Sequence, residues 1–165
     1  MKSRNVTFIT SALVCILFAP TTGVAAELAK SGSYDITNCY AGTSNAIVHS
    51  KAHIAFSYTA TGTTLANKPG PFDKSSFQCV GVIRVMQGTV TGDSMCEWVD
   101  ADGDKFLGRS TRTGNPGGDW TFINGTGKYA GITGGGTSKL LAQFPTVRQG
   151  HFQGCERATG TYELK

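Results

Sequence analysis

The sequence predicts an all-β domain, either a sandwich or a barrel, and three observations predict it. Short runs rich in Val, Ile, Thr, Phe and Tyr alternate apolar with polar residues. Glycine-bearing turns separate these runs at fairly regular intervals, and no stretch keeps a helical apolar period. Glycine supplies 22 of the 165 residues, about twice the usual share of roughly 7 %, and much of it falls where hairpins are expected to turn.

The expected strands follow in order. Ser33–Ala41 is the first, and Ile47–Ala60 contains the second, where Ile54, Phe56 and Tyr58 alternate with Ala55, Ser57 and Thr59. Asn67-Lys68-Pro69-Gly70-Pro71 is a loop, because two prolines and a glycine do not fit a central strand. Phe77–Met86, Thr89–Val99, Lys105–Thr113, Trp120–Asn124, Gly136–Phe144, Val147–Gly154 and Thr159–Leu164 complete the pattern.

Two hairpins can be read in register. A turn at Gln87-Gly88 sets Cys79 opposite Cys96, at the short cross-strand distance a disulfide needs. A second turn within Asp100–Asp104, around Asp102-Gly103, sets Trp98 opposite Phe106. One face of this unit carries Phe77, Cys79, Ile83, Val85, Cys96, Trp98 and Phe106. The other carries Val80, Val82, Arg84, Met95, Glu97, Val99, Leu107 and Arg109. Neither face is purely polar, and both a barrel and a sandwich remain open on this pattern.

The N-terminus reads as an export signal. A basic start (Lys2, Arg4) precedes an apolar stretch from Val6 to Ala19, and small residues end at Ala26. The stretch is shorter than the ~20 apolar residues of a membrane span. The domain assignment is therefore 1–26 signal peptide and 27–165 a single β domain, with no membrane span in the mature chain. Lys2, Arg4 and Cys15 leave with the signal. The remaining chain has 13 basic and 11 acidic residues without a basic run, so the sequence shows no electrostatic footprint for nucleic acid or an anionic membrane. Four cysteines remain: Cys39, Cys79, Cys96 and Cys155. An even number in an exported chain, periplasmic or secreted, suggests two disulfides. Cys79–Cys96 is preferred from the register, which leaves Cys39–Cys155.

Familiar site motifs fail on inspection. Asp100, Asp102 and Asp104 alternate beside Gly103, but no late acid follows as a calcium loop needs. Gly125-Thr126-Gly127-Lys128 lacks the Ser or Thr of a phosphate loop, since Tyr129 stands there. His49 and His53 are placed on one strand face, with no third ligand to make a metal site with them or with His151. No metal or cofactor is expected. Glu97 and Arg109 are diagonal neighbours on facing strands. Buried, they would be candidates for proton transfer and charge stabilisation; outside, they would be an ordinary surface pair.

Gly125–Thr137, reading GTGKYAGITGGGT, resembles the strand–turn–strand signature of the allene oxide cyclase and dirigent-like β-barrels. CEWVDADGDK (Cys96–Lys105) and the closing ATGTYEL (Ala158–Leu164) are similar to uncharacterised bacterial exported members of that group. The resemblance covers roughly the C-terminal half. It implies a closed, calycin-like antiparallel barrel of about eight strands, whose lumen takes an apolar small molecule. The families' catalytic residues find no match at positions of this chain.

The first functional expectation is an exported barrel that binds an apolar small molecule. Tyr58, Phe77, Trp98, Phe106 and Trp120 would line its site. The alternative is an isomerase or cyclase of the allene oxide cyclase or dirigent type, using Glu97 and Arg109. A second alternative is an envelope protein with a filled core and no ligand.

Overall fold

The computed structural model describes residues 28–114 and 117–165. The expected signal peptide lies outside the described residues. Eight antiparallel strands follow one another around a closed barrel. They are β1 (Ser31–Ser50), β2 (His53–Ala66), β3 (Ser75–Met86), β4 (Thr89–Val99), β5 (Lys105–Thr113), β6 (Gly118–Gly125), β7 (Thr133–Gln143) and β8 (His151–Glu163). A short 3-10 helix, Gly127–Tyr129, joins β6 to β7. Among the described residues, no helix is long and apolar enough to cross a membrane.

Both hairpin registers stand as read: Cys79 faces Cys96, and Trp98 faces Phe106. Two boundaries differ from expectation. Ile47–Ser50 belongs to β1, and the chain turns at Lys51-Ala52 into β2. That turn contains no Gly, Pro, Asn or Asp to mark it, and the apolar Ile47 and Val48 before it and Ile54 after it read as one run. At the other end, Val147–Gly154 and Thr159–Leu164 are not separate strands. β8 runs unbroken from His151 to Glu163, because its long partners β1 and β7 both continue its pairing.

The barrel settles which face is inside. The face bearing Phe77, Cys79, Cys96, Trp98 and Phe106 is buried. Its opposite face, with Val80, Met95, Glu97 and Arg109, is exposed. The glycines also have a second use beyond turns. Several sit on strands, pointing inward, where a ring must cross the wall. A Cβ on Gly108 would meet the Trp120 ring at 2.6 Å, and one on Gly81 would meet Tyr58 at 2.7 Å.

Disulfides Cys39–Cys155 and Cys79–Cys96 are both formed, each with a Cα–Cα distance of 4.1 Å. Cys79–Cys96 lies within one hairpin and faces the lumen. Cys39–Cys155 spans the seam where β1 meets β8, on the outside.

The two barrel ends differ. The turns at Asp100–Asp104 and around the 3-10 helix, with the β2–β3 loop, form one end. That end is plugged by Phe72, which the β2–β3 loop carries inward. Phe72 is 2 % exposed and packs against Tyr34, Phe106, Phe122, Tyr129 and Tyr162, with ring centroids between 4.8 and 5.7 Å. An ionic latch fastens the outside of this plug. The Lys128 ammonium bridges Asp100 and Asp102, and the Lys128 backbone N–H donates to Asp104. Burial works against the Asp100 charge, but Lys128, the Tyr129 hydroxyl and a backbone N–H outweigh it and hold this carboxyl below its usual range. The tandem acids thus serve the hairpin and its latch. The turns at 51–52 and 87–88, with the 144–150 loop, lie at the other end, the mouth.

Candidate functional site

Midway along the lumen the apolar wall is interrupted by a polar layer. Strand alternation turns Asn38 of β1 and Glu156 of β8 inward, and the two are cross-strand partners. Glu156 is the one carboxyl that the eight strands direct into the lumen among the described residues. A relay of buried donors sets the Asn38 amide. The Trp98 indole N–H donates to Thr64 Oγ1 at 3.2 Å, and the Thr64 hydroxyl donates to Asn38 Oδ1 at 2.6 Å. With its carbonyl occupied, Asn38 directs Nδ2 to Glu156 Oε1, 3.5 Å away. Burial raises the Glu156 carboxyl above its ordinary range. Asn38, the Arg112 charge and the Ser138 hydroxyl each pull it part of the way back. A carboxyl so placed keeps its proton to higher pH than an ordinary carboxyl, as a group that exchanges a proton with a ligand would need to.

Below this layer lies a cavity of about 40 Å³, lined by Asn38, Phe77, Cys79, Cys96, Trp98, Ser110, Trp120, Ser138 and Glu156 among others. A water needs roughly 10–15 Å³ of such space, so this is room for two or three waters. Drug-sized ligands need about 300–1,000 Å³. The plugged half therefore holds no such ligand in this conformation. Above the layer, toward the open end, Tyr40, Tyr58 and Phe152 meet edge to face, Phe152 lying 6.2 Å from Tyr40 and 5.7 Å from Tyr58. Burial, with the Glu156 charge second, raises the Tyr40 hydroxyl, which keeps it a neutral hydrogen-bond donor. Inward positions above these rings carry Ile54, Phe56, Ile83 and Val85, all only partly buried. The inward side chains of this half, the vestibule, are thus mostly apolar and aromatic, with Glu156 beneath them and the Arg112 charge acting on it.

The sequence-predicted residues divide between these regions. Tyr58 stands in the vestibule. Phe77, Trp98 and Trp120 line the small cavity. Phe106, 1 % exposed, is packed into the plug between Trp98, Phe72 and Tyr129. Glu97 and Arg109 are diagonal neighbours as expected, but on the outer wall, where each pairs with another residue. Glu97 pairs with Lys105 at 2.9 Å and Arg109 with Asp93, all of them about half exposed on the outer wall. Glu97 faces Leu107 and Arg109 faces Met95, with both side chains on the outer parity, so the acid is not buried. The histidine reading also changes. His49 and His53 belong to different strands of the β1–β2 hairpin, with ring centroids 6.2 Å apart. Among the described residues, no group of three or more His, Cys, Asp or Glu could hold a metal ion.

No protein-family model matches the chain, and no curated protein matches it. Among solved structures it is similar to the pterocarpan synthase dirigent protein GePTS1. The TM-score is 0.50 at 12 % identity, over 93 % of this chain and 100 % of that one. The fold is a dirigent-like barrel. At that identity the likeness concerns the fold, and residue roles rest on the geometry above.

The residues missed from sequence are Glu156, Asn38, Arg112 and Tyr40. The signal for the first two was present. Pairing Cys39 with Cys155 places Asn38 opposite Glu156, on the strand parity shared by Ala158 and Tyr162.

Proposed function

We propose that this chain is an exported, dirigent-type barrel. Its open mouth takes an apolar, ring-bearing small molecule and steers an isomerisation or cyclisation. The domain spans 27–165 after a cleaved leader, in keeping with two disulfides that need an oxidising compartment. The observation that carries the reading is Glu156, a lumen-facing carboxyl with a raised pKa beneath an aromatic vestibule. The ligand's apolar body rests among Tyr40, Tyr58 and Phe152, and only a polar group reaches the floor. Protonated Glu156 gives its proton to one ligand atom and recovers one from another, so the product is an isomer and the enzyme is restored. Arg112 stabilises negative charge that develops meanwhile. The fold likeness to a dirigent protein supports this reading over a binding module without chemistry.

The test starts with an apolar anionic probe, 8-anilinonaphthalene-1-sulfonate. Its fluorescence should rise on binding, and Tyr58→Ala or Phe152→Ala should weaken binding about tenfold, roughly one aromatic contact. Aromatic alcohols and enones that displace the probe are then incubated in D₂O. Wild type should exchange ligand protons, while Glu156→Gln binds within about twofold and exchanges none. Probe binding indifferent to both aromatic substitutions would sink the mouth as the site. Exchange that survives Glu156→Gln would sink the proton role.

A further inference from the structure

The rim of the open end carries large apolar side chains in water. Val147 is 90 % exposed, Ile47 76 %, Val48 65 %, Leu141 54 %, Met86 53 % and Phe144 45 %. They come from three separate connections, the β1–β2 hairpin, the β3–β4 hairpin and the β7–β8 segment, yet all lie at one end of the barrel. Such a concentration marks an interaction surface rather than scattered exposure. Lys51 and Arg148 stand among them, both exposed, and exposed Arg84 lies just below. Among the described residues none of the three has a salt-bridge partner. Most acids lie toward the plugged end, where Asp100 and Asp102 are held by Lys128, while Asp119 and Asp93, the latter ion-paired to Arg109, lie on the mouth half.

We propose that this rim docks on an anionic lipid surface, with the mouth facing the bilayer. Apolar tips enter the headgroup–acyl boundary, and Lys51, Arg84 and Arg148 meet lipid charge. Residues on three separate loop tips suit a deformable lipid surface, which asks for no fixed complementary shape. The vestibule then opens onto the phase in which apolar ligands are concentrated. The inference stands on the rim alone and does not depend on the role given to Glu156.

Vesicle flotation decides it, using the disulfide-bonded chain recovered after export with its N-terminus determined. The chain should float with vesicles of phosphatidylglycerol and phosphatidylcholine, less so with phosphatidylcholine alone, and less as salt rises. Val147→Asp and Ile47→Asp should each weaken partition about tenfold or more. The double variant Lys51→Ser/Arg148→Ser should weaken it roughly 30-fold, about fivefold per charge. All these positions are exposed, and an unchanged near-ultraviolet circular dichroism spectrum shows that each variant folds. Every variant shares the wild-type N-terminus, so a loss belongs to the rim. Absence of flotation on anionic vesicles overturns the proposal. Flotation indifferent to all the rim variants overturns it too. A dimer that Ile47→Asp splits would show that a second copy covers the rim, and would also overturn it.

Discussion

Both halves of the barrel are built from the same alternation of inward and outward residues, yet they end in opposite states. In the plugged half, Trp98, Trp120, Phe106, Phe122 and Phe72 fill the lumen, and Lys128 bolts the cap from outside. In the mouth half, the rings of Tyr40, Tyr58 and Phe152 pack edge to face, and inward Ile54, Phe56, Ile83 and Val85 beyond them are only partly buried. The boundary is the Asn38–Glu156 layer, held in place by the Trp98–Thr64 relay from below. The two halves are therefore stacked along one axis, and the full half fixes the position of the single inward carboxyl between them.

The largest effect should come from removing the plug. Phe72→Ala deletes a ring with five aromatic neighbours and should cost about 3–5 kcal/mol in urea unfolding. Phe152→Ala, in the partly exposed mouth, should cost about 1–2 kcal/mol. Equal costs would break the contrast between the halves. A smaller effect is expected at the boundary, and its sign is informative. The folded Glu156 carboxyl titrates above the unfolded one, so between those values the native chain binds a proton that the unfolded chain has released. The stability that this proton supports is present below the unfolded pKa. It is lost as pH rises through the raised folded value. Glu156→Gln escapes the loss. It should match wild type near pH 4 and unfold at higher urea than wild type at neutral and mildly alkaline pH. A Gln variant that is less stable there would mean that the carboxylate is a structural keystone. The smallest effects belong to Glu97→Gln and Arg109→Ala. Both pairs are exposed, so the urea midpoint should stay within the scatter of the measurement. A clear fall in either would restore the outer pair to consideration.

Much of the barrel was legible because period-2 alternation and turn chemistry are local. Gln87-Gly88 and Asp102-Gly103 set two registers, and the cysteines checked one of them. The site was less legible for a specific reason. Register tells which residues share a face but not which face closes inward, so the sequence points to Glu97 and Arg109 rather than to Glu156. Closure itself is a tertiary fact. Phe72 was invisible for a related reason. It follows a Pro-Gly-Pro loop and adopts a positive φ of 70°, a conformation that only its packing against five rings explains.

The seam between β1 and β8 also has a kinetic meaning. Seven of the eight strand interfaces join neighbours in the chain, and only this one joins its two ends. Loop-closure entropy grows with the logarithm of length, and non-local pairing slows folding. Closure of the ring is thus the slow, committing event. The Cys79 and Cys96 thiols, 17 residues apart, meet as soon as their hairpin forms. The Cys39 and Cys155 thiols, 116 residues apart, meet only when the circle is complete. That outer bond is the molecule's record that assembly has finished, and oxidation at the seam turns a reversible closure into a permanent one.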